Sequence, residues 1–246
     1  MPQVLKTVRE MRAAVDARRR EGARIGVVPT MGALHAGHLS LVQASRASCE
    51  VTVATIFVNP TQFAPHEDFS RYPRTLEEDL ALLAKEGTDY VFCPNVEEMY
   101  PAGYSTYVEP PAVSQRLEGE RRPGHFRGVC TVVLKLFEAI PADVAYFGQK
   151  DFQQALVIQH MVRDLGLRPK IEVRPIIRDA DGLALSSRNR YLSPEERTRA
   201  LGLSAALRAA RDAFRGGERS GDSLRERMRR ILTERGVDEI DYVSIS

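Results

Sequence analysis

Apolar residues recur along this chain at two spacings, and the alternation between them outlines a fold. Val4, Val8, Met11 and Val15 fall at helical intervals and predict a helix over 4–20. Short apolar runs at 25–28, 51–58, 89–93, 143–147 and 170–177 predict strands. The second, Val51-Thr52-Val53-Ala54-Thr55-Ile56-Phe57-Val58, is β-branched and nearly continuous, as strands covered on both faces tend to be. Helical patterns separate these runs, beginning at Leu39 and spanning 76–86, 129–140 and 152–165. Strands alternating with helices predict an α/β protein with a doubly wound parallel sheet of the Rossmann type. A short edge strand is expected over 104–109, in a stretch punctuated by Pro and Gly. Beyond a tight turn at Asp179-Ala180-Asp181-Gly182, helices over 194–215 and 223–235 and a terminal strand over 240–245 predict a smaller C-terminal α+β domain. The boundary is expected between a first domain, 1–176, and a second, 177–246. Thr75-Leu76-Glu77-Glu78 and Ser193-Pro194-Glu195-Glu196 both read as capping boxes.

With 246 residues, 43 % of them apolar, the chain can bury a full core. A formal charge of +2 is too small to predict nucleic-acid or membrane binding from electrostatics. The arginine-rich C-terminal helices alternate in charge and read as solvated faces. Arg18-Arg19-Arg20 reads as the favourable basic end of a helix. Cys49, Cys93 and Cys130 are odd in number and show no Cys-x-x-Cys spacing, which argues against a disulfide framework or a zinc site. With no signal peptide or membrane-length apolar run, a cytoplasmic protein is expected.

The candidate chemistry follows the strands. After the run Ile25 to Val28 comes Pro29-Thr30-Met31-Gly32-Ala33-Leu34-His35-Ala36-Gly37-His38: a glycine-bearing loop, then a helix start. Free N–H groups of a helix's first turn and its dipole favour an anion there. Two imidazoles on the same rim can bind phosphate oxygens and stabilise charge growing at phosphorus. Capping the helix is the competing role for either histidine. Asn59 and Gln62 follow the second strand in a rigid Asn-Pro loop, so both should face the same crevice; a plain turn is the alternative. Arg122, His125 and Arg127 precede the helix at 129–140 and either hold an anion or close a loop. Lysine occurs only at positions 6, 85, 135, 150 and 170. Lys150 opens a helix, where the dipole disfavours a cation unless it has an anionic partner. Asp151 and Gln154 have capping-box spacing, so from spacing alone a structural and a functional role stand even. Ser186, Ser187, Arg188 and Arg190 gather hydroxyls and guanidinium groups suited to a polyphosphate.

Four blocks in order carry a resemblance that spans nearly the whole chain: Pro29-Thr30-Met31-Gly32-Ala33-Leu34-His35-x-Gly-His38, Phe57-Val58-Asn59-Pro60-x-Gln62-Phe63, Phe147-Gly148-Gln149-Lys150-Asp151-x-x-Gln154 and Ser186-Ser187-Arg188-Asn189. Together they resemble the pantothenate synthetase (pantoate–β-alanine ligase) family, of the His-x-Gly-His nucleotidylyltransferase group. The resemblance implies that ATP and D-pantoate form a pantoyl adenylate and pyrophosphate, and that β-alanine then displaces AMP. It implies ATP contacts from Met31, Gly32, Ala33, Leu34, His35, Ala36, Gly37, His38, Gly148, Gln149, Lys150, Asp151, Ile177, Leu185, Ser186, Ser187 and Arg188, the last four on a mobile lid. His38 would be the catalytic imidazole, with His35, Lys150 and Arg188 neutralising charge. Gln62 and Gln154 would hold pantoate, with Asn59, Arg122 and His125 nearby. Magnesium with the triphosphate and a homodimer are also implied. The family's C-terminal domain ordinarily continues with further strands, so the small domain is expected to be shortened. A nucleotidyltransferase of the same group and a non-catalytic nucleotide-binding module are the alternatives.

Overall fold

The computed structural model describes residues 1–245, and these divide into two compact units, 1–176 and the residues from Ile177 onward. In the first unit, β1 (Gln3–Leu5) leads into α1 (Val8–Arg20), β2 (Ile25–Val28), α2 (Ala36–Arg46) and β3 (Val51–Thr55). There follow α3 (Leu76–Lys85), β4 (Tyr90–Phe92), the short helices α4 (Val96–Met99) and α5 (Glu118–Arg121), and α6 (His125–Ala139). The unit ends with β5 (Val144–Gly148), α7 (Phe152–Asp164) and β6 (Lys170–Arg174). All six strands are parallel, in the order β1-β4-β3-β2-β5-β6.

Alternate residues of each strand feed opposite faces, as the two-residue period of a strand requires. Ile25, Val27, Val51, Val53, Phe92, Ala145 and Phe147 join α1, α6 and α7 in one core. Val28, Ala54, Val91, Val144 and Tyr146 join α2 and α3 in the other. Both faces are therefore buried, which explains the unbroken apolar runs. The tightest contact of α2 with the sheet is at Gly26: a Cβ there would lie 2.1 Å from Ser45 Oγ, which bonds Thr52 Oγ1 at 2.7 Å.

Several elements differ from the sequence expectation for local reasons. Residues 3–5 form an edge strand on β4 instead of helix, because the capping box of Thr7 and Glu10 starts α1 later. Pro175 lacks an N–H and ends β6. No strand forms over 104–109: the Val108 N–H donates to Thr131 Oγ1 (3.0 Å) rather than to a neighbouring strand, and the tyrosine rings of 100, 104 and 107 stack edge to face. Thr75 caps α3 without a side-chain bond, and its hydroxyl is buried without a partner among the described residues; the capping box expected there does not exist. The box at Ser193 and Glu196 does form. Of the basic triplet, Arg18 pairs with Glu21 and Arg19 with Asp143.

The second unit contains α8 (Pro194–Arg215) and α9 (Gly221–Glu234), packed through Ala206, Ala210, Leu224, Met228 and Leu232. The strand expected over 240–245 is absent; Ile240 and Val243 instead pack onto the helix pair. Strand-like pairing in this unit is confined, among the described residues, to one antiparallel bridge between Arg178 and Ala184, across a turn with Gly182 at φ +96°. That turn also brings the Leu185 N–H to the Ile177 carbonyl (3.0 Å). No helix among the described residues is long and apolar enough to cross a membrane.

In the first unit α6 lies against the turn at 60–62 with almost no clearance. A Cβ on Gly128 would sit 2.3 Å from the Thr61 carbonyl oxygen and 2.7 Å from Gln62 Cα, whereas one on Gly148 would meet nothing within 4 Å. Gly128→Ala is therefore expected to lower unfolding free energy by about 1–3 kcal/mol through overpacking. Gly148→Ala should change it by less than about 0.5 kcal/mol. Urea unfolding of both variants checks this, and equal effects would contradict the packing.

Candidate active site

The strand order reverses at β2, whose two neighbours are β3 and β5. In open parallel sheets, the crevice beyond the carboxyl ends of strands at such a point receives ligands. Here the chain leaving β2 carries the histidine loop, and β5 ends on Gly148 and runs into Gln149, Lys150 and Asp151.

The histidine loop is tied down from behind. Thr30 bonds the end of β3: its N–H reaches Thr55 Oγ1 (3.1 Å) and its hydroxyl donates to the Thr55 carbonyl (2.5 Å). Gly32 and Ala33 both take positive φ, +86° and +50°. The Asp79 carboxylate, 1 % exposed, accepts the N–H groups of Ala33 (2.9 Å) and Leu34 (2.7 Å). Sequence spacing does not single out Asp79, which stands one residue beyond the Thr75-to-Glu78 pattern.

His35 is the N-cap of α2, and its Nδ1 accepts the Gly37 N–H at 3.1 Å. The first-turn N–H of Gly37 thus has a side-chain partner, a correction to the expectation that such groups stand open to a ligand. An accepting Nδ1 leaves the hydrogen of the neutral ring on Nε2. The His38 ring lies 4.1 Å from that of His35, centroid to centroid, and its Nδ1 is buried with no partner among the described residues. Burial pushes the His38 pKa down to about 3, helped by the neighbouring His35 and Lys150. Lys150 is thus close enough to His38 for its charge to be felt there. Its ammonium is 3.2 Å from Asp151, and both are largely exposed.

Met31, Gly32, Leu34, Ala36 and Gly37 complete the loop around these rings. Gln62 abuts it, with Nε2 3.3 Å from Met31 Sδ. Gln62 stands on a 3-10 turn, Pro60–Gln62, capped by Asn59. Three residues expected near the substrate are engaged here by the protein itself. Asn59 is 1 % exposed and fully engaged: Nδ2 donates to Gln62 Oε1 (3.1 Å) and the Gly128 carbonyl (3.3 Å), while Oδ1 accepts from Thr61 and from Tyr100 OH (2.8 Å). It supports Gln62 from within the protein. Arg122 pairs with Glu67 (2.6 Å) and Glu118 (3.2 Å), so its charge is taken up by the loop, and hydrogen bonding to Arg122 holds the Glu67 carboxyl below its usual range. His125, buried and pushed down in pKa by desolvation, accepts from Arg122 at Nε2 (3.2 Å) and donates from Nδ1 to the Gln62 carbonyl (2.9 Å). All three residues position the 60–62 turn.

Gln154 stands on the first turn of α7, half-buried, its side chain without a hydrogen-bond partner among the described residues. Asp151 is the N-cap of α7 but makes no side-chain cap bond, so the capping explanation for this pair does not hold. In the second unit, Ser186 caps a 3-10 turn, Ser187–Tyr191, by accepting the Arg188 N–H (3.3 Å); Ser187 is buried and Arg188 exposed.

A parallel sheet whose switch point carries two imidazoles, an ammonium and an amide-bearing turn defines an α/β protein with a polar, nitrogen-rich crevice. The Pantoate-beta-alanine ligase family model matches residues 3–246. Pantothenate synthetase of Moorella thermoacetica is 54 % identical over 244 residues, which cover 99 % of this chain and 86 % of that protein. That of Dehalococcoides mccartyi strain CBDB1 is 57 % identical over 222 residues, 90 % and 83 % of the two chains. Among solved structures, pantothenate synthetase of Thermus thermophilus superposes with a TM-score of 0.90 at 48 % identity, covering 98 % of this chain and 85 % of that one. The Francisella tularensis pantoate–β-alanine ligase in complex with beta-gamma ATP and β-alanine gives 0.82 at 34 % identity, covering 94 % and 86 %. The chain belongs to the pantoate–β-alanine ligase family and is an enzyme of that ligase class.

The depressed His38 pKa makes a pH statement. Between pH 6.5 and about 3 the unfolded chain binds a proton at position 38 that the folded protein refuses, so His38 stabilises the fold above pH 6.5 and this contribution is lost as pH falls through that window. The His38 imidazole resonances are therefore expected to stay in the neutral form down to pH 5 in an NMR titration of the ligand-free protein. A half-protonated ring near pH 6 would contradict the geometry.

Proposed function

We propose that this chain joins D-pantoate to β-alanine through a pantoyl adenylate, releasing pyrophosphate and then AMP. The reading rests on one observation above others: the His35 and His38 rings and Lys150 gather where the β2 and β5 loops part. A carboxylate resists an amine because oxide is a poor leaving group; adenylation replaces oxide with AMP. In the first step a pantoate carboxylate oxygen attacks the α-phosphorus of ATP and the bond to the pyrophosphate oxygen breaks. Negative charge grows on the phosphate oxygens as it does so, and positioned donors facing them lower the barrier.

His38 is neutral because burial, with His35 and the Lys150 ammonium close by, disfavours the imidazolium. An arriving polyanion offsets the repulsion and favours a protonated, donating ring. Lys150 supplies a fixed charge beside it. Gln62 and Gln154 carry amides that both donate and accept, which suits the carboxylate and hydroxyls of pantoate. The β-alanine amine then attacks the acyl carbon, AMP leaves, and the amide nitrogen loses a proton. That second step needs chiefly positioning and protection from water. Ile177 and Leu185 to Arg188 are the second-unit residues we assign to nucleotide contact. Among the described residues no group of three His, Cys, Asp or Glu side chains forms a metal cage. Magnesium in this reading travels on the triphosphate and has no assigned step.

Incubation with ATP, D-pantoate and β-alanine is expected to yield AMP, pyrophosphate and the amide in equal amounts. Without β-alanine, pantoate-dependent exchange of pyrophosphate into ATP should persist. His38→Ala should lower that exchange about 10²- to 10³-fold while leaving the far-UV circular dichroism unchanged. ADP and phosphate as products, or near-normal exchange in the variant, would overturn the reading.

A further inference from the structure

We infer that Asp79 is a positioning residue for the nucleotide loop, one that sets the backbone at 32–34 and through it the two imidazoles. The inference rests on the nucleotide-binding reading above. Asp79 lies in the first turn of α3, yet its carboxylate turns away from its own helix and crosses 45 residues of sequence to the loop. At 1 % exposure a carboxylate must be matched by donors, and both oxygens are used: Oδ2 by the Ala33 N–H, Oδ1 by the Leu34 N–H. A helix-dipole role does not account for this, because Glu77 and Glu78 already supply acid to the same turn.

What the carboxylate holds is a conformation the loop resists. Ala33 has φ +50°, and among the described residues only Leu117 shares a positive φ without being glycine. Gly32, at φ +86°, presses against the same group, since a Cβ there would lie 3.0 Å from Asp79 Oδ2. Two bonds from one rigid side chain fix the peptide planes on both sides of the strained residue. The next residue is His35, whose carbonyl accepts the N–H groups of His38 (2.8 Å) and Leu39 (3.1 Å). A rotation at 33–34 therefore moves both rings together.

The loop also gains a chemical selection from this arrangement. The Ala33 and Leu34 N–H groups are already taken by an anion belonging to the protein, so a phosphate is directed past them to the imidazoles and Lys150. Asp79 thus decides which donors of the loop a nucleotide meets.

In Asp79→Asn the amide offers one acceptor and turns an N–H toward the other backbone N–H. The KM for ATP in pantoate-dependent exchange is expected to rise about tenfold, with the KM for β-alanine unchanged. Glycine adopts positive φ freely, so the same substitution in an Ala33→Gly protein should raise the KM for ATP by no more than about threefold. A role in stability alone would lower the melting temperature equally in both backgrounds and leave both KM values alone, and that outcome overturns the inference. In the unaltered protein, the Ala33 and Leu34 amides should exchange with deuterium as slowly as those of the central strands, although they lie in a loop. Fast exchange there overturns the inference whatever the enzyme catalyses. Slow exchange in a protein that makes no amide product would instead keep the inference about the loop and reject the proposed reaction.

Discussion

The pairing of β2 with β3 on one side and β5 on the other is the constraint from which the site follows. Every connection in the sheet is parallel, so every strand ends at the same edge, and the chain can continue only by crossing to a helix layer. From β2 it crosses to α2 on one face; from β5 it crosses to α7 on the other. Two loops leaving adjacent strands in opposite directions open a crevice between them. The imidazoles stand on one lip and Lys150 on the other, and neither loop needs to be long.

Short loops with exposed chemistry need rigid backing, and this protein supplies it with buried polar groups. Asn59 binds Gln62, Gly128, Thr61 and Tyr100 at once. Glu67, Arg122 and His125 form a chain of charge-assisted and neutral bonds that ends on the Gln62 carbonyl. Asp79 performs the same office for the histidine loop. Each group has its hydrogen-bonding capacity met inside the protein, so it holds geometry without competing for ligand. The contrast with His38 is informative: its buried Nδ1 has no partner among the described residues, and burial, with Lys150 near, keeps the ring neutral.

Much of the sheet was legible because both its faces are covered. Continuous β-branched runs leave little doubt about strands, and only their ends moved, as at Pro175. What pattern could not reveal was partnership. The 104–109 and 240–245 segments have strand-like composition, but a strand exists only where a neighbour pairs with it, and theirs are a threonine hydroxyl and a helix pair. Thr75 and Glu78 have the spacing of a capping box, while the residue that matters, Asp79, bonds a loop distant in sequence. Arg122, His125 and Asn59 have the right residue types and the right neighbourhood for binding a substrate. Whether a polar side chain faces a ligand or the protein depends on donors brought from elsewhere in the chain, such as Glu67 and Tyr100.

In the proposed reaction, phosphate is received where the β2 and β5 loops part. A crystal structure of this protein with a non-hydrolysable ATP analogue tests it most directly. Phosphate oxygens are expected within about 3 Å of the His38 imidazole and the Lys150 ammonium. A triphosphate seated elsewhere, for instance in the surface groove lined by Arg19, Arg24 and Asp143, with His38 still unpartnered, would contradict it.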